Sequence, residues 1–166
     1  MRKYIFGLHL DRNDHCSDFY EVPQEFFSLE AGDSIVEITL GKSYFAMVTA
    51  FGKIYASGFT FYRVMENMRF NQSNEEDYPY ELRMPSDDEW TALQVFGCEK
   101  FNNIWMTAMN SNGVKRTFGA GQQITLIGHG LKSSASKWSE LDVADDVHMT
   151  KIVCQGENVL VHAIDN

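Results

Sequence analysis

Apolar and polar positions alternate along most of this chain, in short runs closed by glycine or by turn residues. Period-two alternation predicts strands rather than helices. Lys3 to Phe6 reads as a strand ended by Gly7. Ile35 to Leu40 is a second strand, rich in β-branched residues. Tyr44 to Thr49 and Lys53 to Ala56 then form a hairpin around Phe51-Gly52. Trp90 to Phe96 resumes the pattern. Ile104 to Met109 and Val114 to Phe118 make another hairpin around Asn110-Ser111-Asn112-Gly113, whose asparagine-glycine end is a turn signal. Trp138 to Val143 and Lys151 to Gln155 lead to the last strand, Val159 to Ile164. No stretch carries the 3.6-residue period of an amphipathic helix of any length. The expected fold class is all-β.

The strands repeat. Three times a glycine closes an apolar segment: Ile38-Thr39-Leu40-Gly41, Gln94-Val95-Phe96-Gly97 and Val153-Cys154-Gln155-Gly156. Gly41 and Gly97 are 56 residues apart, and Gly97 and Gly156 are 59 apart. A period of this length predicts supersecondary units that bury a core by stacking. In the first two copies a third strand ends in glycine, at Gly58 and Gly119. A glycine-rich loop is expected from Gly119 through Gly121 to Gly130.

The longest interruption is Phe59 to Glu89, with turn-rich acidic stretches at Asn71 to Asp77 and Pro85 to Glu89. Loops of this length in a compact domain are usually functional or mobile. Phe59, Phe61, Tyr62, Tyr78 and Tyr80 flank it, with Met65, Met68 and Met84 nearby. Aromatic and methionine side chains are favoured in protein interfaces. These five aromatics are therefore the candidate partner-binding residues. The competing expectation is that they only cover the edge of the fold.

The repeats resemble those of the regulator of chromosome condensation 1 (RCC1) family. The best copy is Gly41 to Gly58, with Tyr44 where the family often has histidine and Ser57 where it often has an aromatic. The second copy keeps Phe118-Gly119, followed by Leu126-Ile127-Gly128-His129-Gly130. The third keeps Gly156 and His162-Ala163-Ile164. The resemblance implies a single β-propeller domain over residues 1–166, with about three repeats. It also implies partner binding, or, in some members, guanine-nucleotide exchange on a small GTPase. Lys3, Tyr4, Ile5, Phe6 and Gly7 resemble the final strand of a repeat, and Val159 to Asn166 resembles a repeat lacking that strand. Family propellers commonly close by pairing an N-terminal strand into the last blade. The expectation is that a second chain completes the ring, with Lys3 to Gly7 as the exchanged strand. That chain would be a second copy, in a six-bladed homodimer, or another subunit in a hetero-oligomer. The alternative is a partial propeller buttressed within a larger assembly.

Charge narrows the partners. The net charge is −9 and the only basic cluster is Lys115-Arg116, whereas phosphate neutralisation needs a basic face. Nucleic acid is therefore not the expected partner, and protein is. No apolar run approaches a membrane span. Met1 to Gly7 has no apolar core of a secretory signal. Cys16, Cys98 and Cys154 are an odd count without a secretory signal, so reduced thiols in an intracellular compartment, cytoplasmic or nuclear, are expected.

Catalytic and cofactor signals fail on inspection. Gly41-Lys42-Ser43 looks like the end of a phosphate loop, but Val36 stands where its first glycine belongs. Gly119-Ala120-Gly121-Gln122-Gln123-Ile124 lacks the third glycine of a dinucleotide fingerprint. Asp11 to His15 hints at a calcium loop, yet Cys16 and Val22 occupy the glycine and glutamate positions. The five histidines form no metal spacing, and no GxSxG elbow occurs. The expectation is a non-enzymatic interaction or scaffold module without cofactor or metal.

Overall fold

The computed structural model describes residues 4–5, 20–21, 29–41, 44–57, 68, 79–85, 89–98, 103–121, 135–141, 147–155 and 158–165. The chain divides into two compact units, Met1–Ala31 and Gly32–Asn166. The first holds β1 (Tyr4–Ile5) and β2 (Tyr20–Glu21), paired antiparallel.

The second unit contains two four-stranded antiparallel sheets and a hairpin. The first sheet runs in order β3 (Ile35–Leu40), β4 (Phe45–Thr49), β5 (Ile54–Ser57) and β6 (Tyr80–Glu81). The second is the same meander: β7 (Thr91–Gly97), β8 (Ile104–Met109), β9 (Lys115–Gly121) and β10 (Ala135–Glu140). The hairpin pairs β11 (Val147–Gln155) with β12 (Asn158–Asp165).

The tight turns follow from local chemistry. After β4, Thr49 N–H donates to Lys53 O, and Gly52 takes φ 73°. After β8, Asn110 N–H donates to Val114 O, and Gly113 takes φ 80°. Each is a three-residue loop with glycine in the left-handed region, where a side chain is disfavoured. The Asn110 carboxamide oxygen also accepts from the Asn112 and Val114 N–H groups at 3.0 and 2.9 Å. Asparagine at this position preorganises the turn.

Each first strand carries a bulge against its partner, at Val36 in β3, Leu93 in β7 and Thr150 in β11. These lie 57 residues apart both times. The structural repeat is thus more regular than its glycines. Pairing places Leu40 opposite Phe45 and Gly97 opposite Ile104, so Gly97 corresponds to Leu40 rather than to Gly41.

Three further sequence expectations are corrected. The first sheet has a fourth strand where a loop was expected, because β6 arises within the long interruption and pairs Ala56 with Tyr80. Gly119 to Gly121 belong to β9 rather than to a loop. The strand expected from Trp138 to Val143 runs instead over Ala135–Glu140, because its register is set by Gly121 and Phe118 across β9.

The core forms two clusters. One lies between the two sheets: Ala46, Val48, Ile54 and Ala56 from the first meet Val95, Ile104, Met106, Ala108 and Phe118 from the second. The other joins Phe96, Cys98 and Trp105 to Leu141, Met149 and Ile152. Alternate residues of β7 and β8 thus serve opposite clusters, as the pleat requires. Each sheet buries both faces, and the strands β4 and β8 read as nearly continuous apolar runs for that reason.

Candidate interaction surface

The surface is defined by how one sheet meets the next. β3 presents Glu37 and Thr39 toward the second sheet. Glu37 Oε2 accepts the Val95 N–H at 3.0 Å, and Thr39 Oγ1 accepts the Gly97 N–H at 2.8 Å. β7 is an edge strand of its sheet, so these side chains satisfy amides that no neighbouring strand reaches. Burial pushes the Glu37 carboxyl above its ordinary range, and the bond from Val95 N–H pulls it part of the way back.

Close approach is built in beside these bonds. A Cβ on Gly97 would stand 2.4 Å from the Leu40 carbonyl oxygen. A Cβ on Gly52 would stand 2.1 Å from Thr91 Cγ2, and the Gly52 carbonyl accepts the Ala92 N–H at 2.8 Å. The Tyr44 hydroxyl donates to the Asn103 carbonyl, tying the residues just before β4 and β8 across the same junction. Trp138 Nε1 donates to Arg83 O at 2.9 Å at the outer strands.

The leading face of each sheet, turned toward the next, therefore carries Glu37, Thr39, Ala46 and Val48 in the first and Phe96 and Trp105 in the second. The trailing face carries Val95, Ile104 and Met106 in the second sheet, and Met149, Ile152 and Val161 in the hairpin. On the hairpin's leading face, Val153 pairs with Leu160, and Ile164 lies on the same side as Leu160. All three are exposed, as are Ile38 and Leu40 on β3. Thr150 Oγ1 lies 2.6 Å from His162 Nδ1 at the hairpin bulge. Sequence reading did not single out these exposed residues, because each sits in an ordinary strand pattern.

Of the sequence-derived candidates, Phe59, Phe61, Tyr62 and Tyr78 lie outside the described residues. Tyr80 is 6% exposed and packs in the core between the sheets. Of Lys3 to Gly7, Tyr4 and Ile5 are described, paired with Glu21 and Tyr20; Lys3, Phe6 and Gly7 are not. Among the described residues no group of three His, Cys, Asp or Glu side chains is placed to hold a metal, and no helix is long and apolar enough to cross a membrane.

No protein-family model matches the sequence, and no curated protein matches it. Solved structures do match in shape. Human WBSCR16 superposes with a TM-score of 0.54 at 14% identity, over 80% of this chain. Prp20p from Saccharomyces cerevisiae, a structure described together with its binding to Gsp1p and histones, gives 0.51 at 12% identity over 83%. The chain spans 33% of the length of each. The fold is that of RCC1-like β-propellers, of which this chain forms a part.

Proposed function

We propose that this chain is a non-catalytic protein-interaction module built from RCC1-like propeller blades and working inside the cell. The observation that carries the reading is the arrangement of two four-stranded sheets followed by a hairpin whose leading face displays Val153, Leu160 and Ile164. A surface of this kind buries apolar area against another protein and performs no bond chemistry. The binding of Gsp1p and histones by Prp20p supports protein partners for this fold. The net charge of −9 favours a partner with a basic surface.

The aromatic residues Phe59, Phe61, Tyr62 and Tyr78 supply the partner contact in this reading. Tyr80 is set apart from them, because its ring is already part of the core. Tyr78→Ala combined with Phe61→Ala should weaken capture of a partner while leaving thermal unfolding unchanged. Tyr80→Ala should lower the unfolding temperature itself. Partner capture that survives the double substitution places the contact elsewhere.

Exchange of Lys3 to Gly7 into another chain is the second element. Tyr4 and Ile5 already pair with β2, so such exchange needs either the opposite edge of β1 or release of that pairing. Guanine-nucleotide exchange is the alternative function implied by the fold, and it is tested directly. An exchange factor accelerates release of a fluorescent guanine nucleotide from a small GTPase, and an interaction module does not.

A further inference from the structure

The turn between β8 and β9 holds the chain's one asparagine-glycine pair, Asn112-Gly113, and both residues are exposed. Gly113 takes φ 80°, and a Cβ on it would meet nothing within 4 Å. The two asparagines of the turn are held differently. The Asn110 carboxamide oxygen accepts the Asn112 and Val114 N–H groups at 3.0 and 2.9 Å. The Asn112 carboxamide has no hydrogen-bond partner among the described residues. The Gly113 N–H, next to that carboxamide in the chain, donates to the Asn110 carbonyl at 3.0 Å. Asparagine side chains readily engage the backbone just beyond them, and asparagine is among the thermally labile residues. Glycine leaves the following nitrogen uncrowded.

We propose that Asn112 is a site of spontaneous modification, in which its carboxamide deamidates through the Gly113 nitrogen at a rate set by Asn110. The Gly113 backbone nitrogen gives up its proton and attacks Asn112 Cγ. A carbon–nitrogen bond forms, the side-chain carbon–nitrogen bond breaks, and the leaving nitrogen takes up a proton and departs as ammonia. Water then opens the five-membered succinimide. Opening at Cγ leaves aspartate, and opening at the backbone carbonyl leaves isoaspartate, with the main chain routed through Cγ. One water is consumed, one ammonia is released, and nothing is oxidised or reduced. The proton that must leave is the one bonded to the Asn110 carbonyl, so ring closure waits for the turn to open. Asn110 resists that opening at three points, one through its carbonyl and two through its side chain. Local opening of a hairpin tip costs less than global unfolding, so the reaction proceeds in the folded chain. The new carboxylate falls beside exposed Lys115, in the one basic cluster of a chain of net charge −9. Isoaspartate also adds a backbone atom to a loop whose length its hydrogen bonds fix. The modification therefore rebuilds the exposed Val114–Lys115 tip and leaves the core alone.

The test is peptide mapping by mass spectrometry after the purified chain has stood in mildly alkaline buffer made with heavy-oxygen water. Each conversion fixes one heavy oxygen at the modified residue, and synthetic peptides of both products separate isoaspartate from aspartate. The urea-unfolded chain supplies the rate of the unrestrained sequence. The folded chain should take up label at Asn112 and not at Asn110, several-fold more slowly than the unfolded chain. Asn110→Ala should convert several-fold faster than wild type, whereas Asn110→Asp, which keeps the acceptor oxygen, should stay near the wild-type rate. Near-UV circular dichroism checks that the variants are folded. If Asn110→Ala disturbs the spectrum, Asn110→Gln, whose longer side chain carries its oxygen past the two amides, replaces it. Gly113→Ala should suppress the label even in urea, where folding plays no part. A folded chain that stays unlabelled while the unfolded chain converts fully overturns the proposal. So does a folded chain that converts at the unfolded rate, or an alanine variant no faster than wild type. Partner capture is read in a separate assay, so failure here leaves the interaction reading standing, and the converse holds too.

Discussion

Thr39 Oγ1 accepts the Gly97 N–H at 2.8 Å, joining the first strands of two sheets across 58 residues of sequence. The bond works only because Gly97 has no side chain. Its Cβ position is 2.4 Å from the Leu40 carbonyl oxygen, and backbone cannot move aside as a flexible side chain would. Gly97→Ala should therefore cost about 1–3 kcal/mol, the usual penalty for forcing atoms into a packed site. Gly113→Ala meets open space and pays only for its positive φ, about 1 kcal/mol. Urea unfolding of both variants measures the difference. Equal losses would show that the two sheets separate at Gly97 without cost.

Glu37 makes the same junction sensitive to pH. Its carboxyl is pushed up by burial, so the folded chain holds a proton that the unfolded chain has already released. Stability from this group is fully present below the unfolded value and is lost as pH rises through the folded one. Unfolding free energy should fall across the window just above the ordinary glutamate range. In Glu37→Gln that slope should vanish, because the amide oxygen still accepts from Val95 N–H and carries no charge to desolvate. Denaturant titrations at several pH values decide the matter, and an unchanged slope in the variant assigns the effect to another group.

Asp33 is the anchor of the first hairpin turn. Its Oδ1 accepts the Ser34 N–H at 2.7 Å and the Phe51 N–H at 3.0 Å, with the side chain buried. Asp33→Ala removes the acceptor for both amides and should cost about 1–3 kcal/mol. Asp33→Asn keeps an acceptor oxygen and should cost less. Thermal unfolding of the pair separates the two, and a harmless alanine variant would mean that water replaces the carboxylate fully.

Trp105 fills the second cluster, fully buried against Phe96 and Leu141. Its indole N–H has no hydrogen-bond partner among the described residues. Packing rather than polarity should then set its worth. Trp105→Ala should cost about 3–5 kcal/mol. Trp105→Phe should recover most of that, since no bond is lost with the N–H. A phenylalanine variant as unstable as the alanine one would reveal a polar role for the ring nitrogen.

The sequence by itself determined the class of the fold and most of its strands. Period-two alternation and the two glycine turns are local signals, and Ile104–Met109 appears in the structure as the pattern predicts. The repeat was legible in the glycines but one residue out of step. The true register is carried by bulges at Val36, Leu93 and Thr150, and a bulge is a property of the pair of strands rather than of either sequence. Tertiary structure also decided the fourth strand of the first sheet. Tyr80–Glu81 is two residues long, too short for any periodicity, and it is a strand only because β5 offers it an edge. For the same reason Tyr80 could be taken from sequence for a surface aromatic, whereas pairing with Ala56 turns its ring into the core. The opposite holds at Ile38, Leu160 and Ile164. Their strands read like those of Val95 and Met106, and only the stacking order of the sheets decides which apolar side chains are buried and which are left open to a partner.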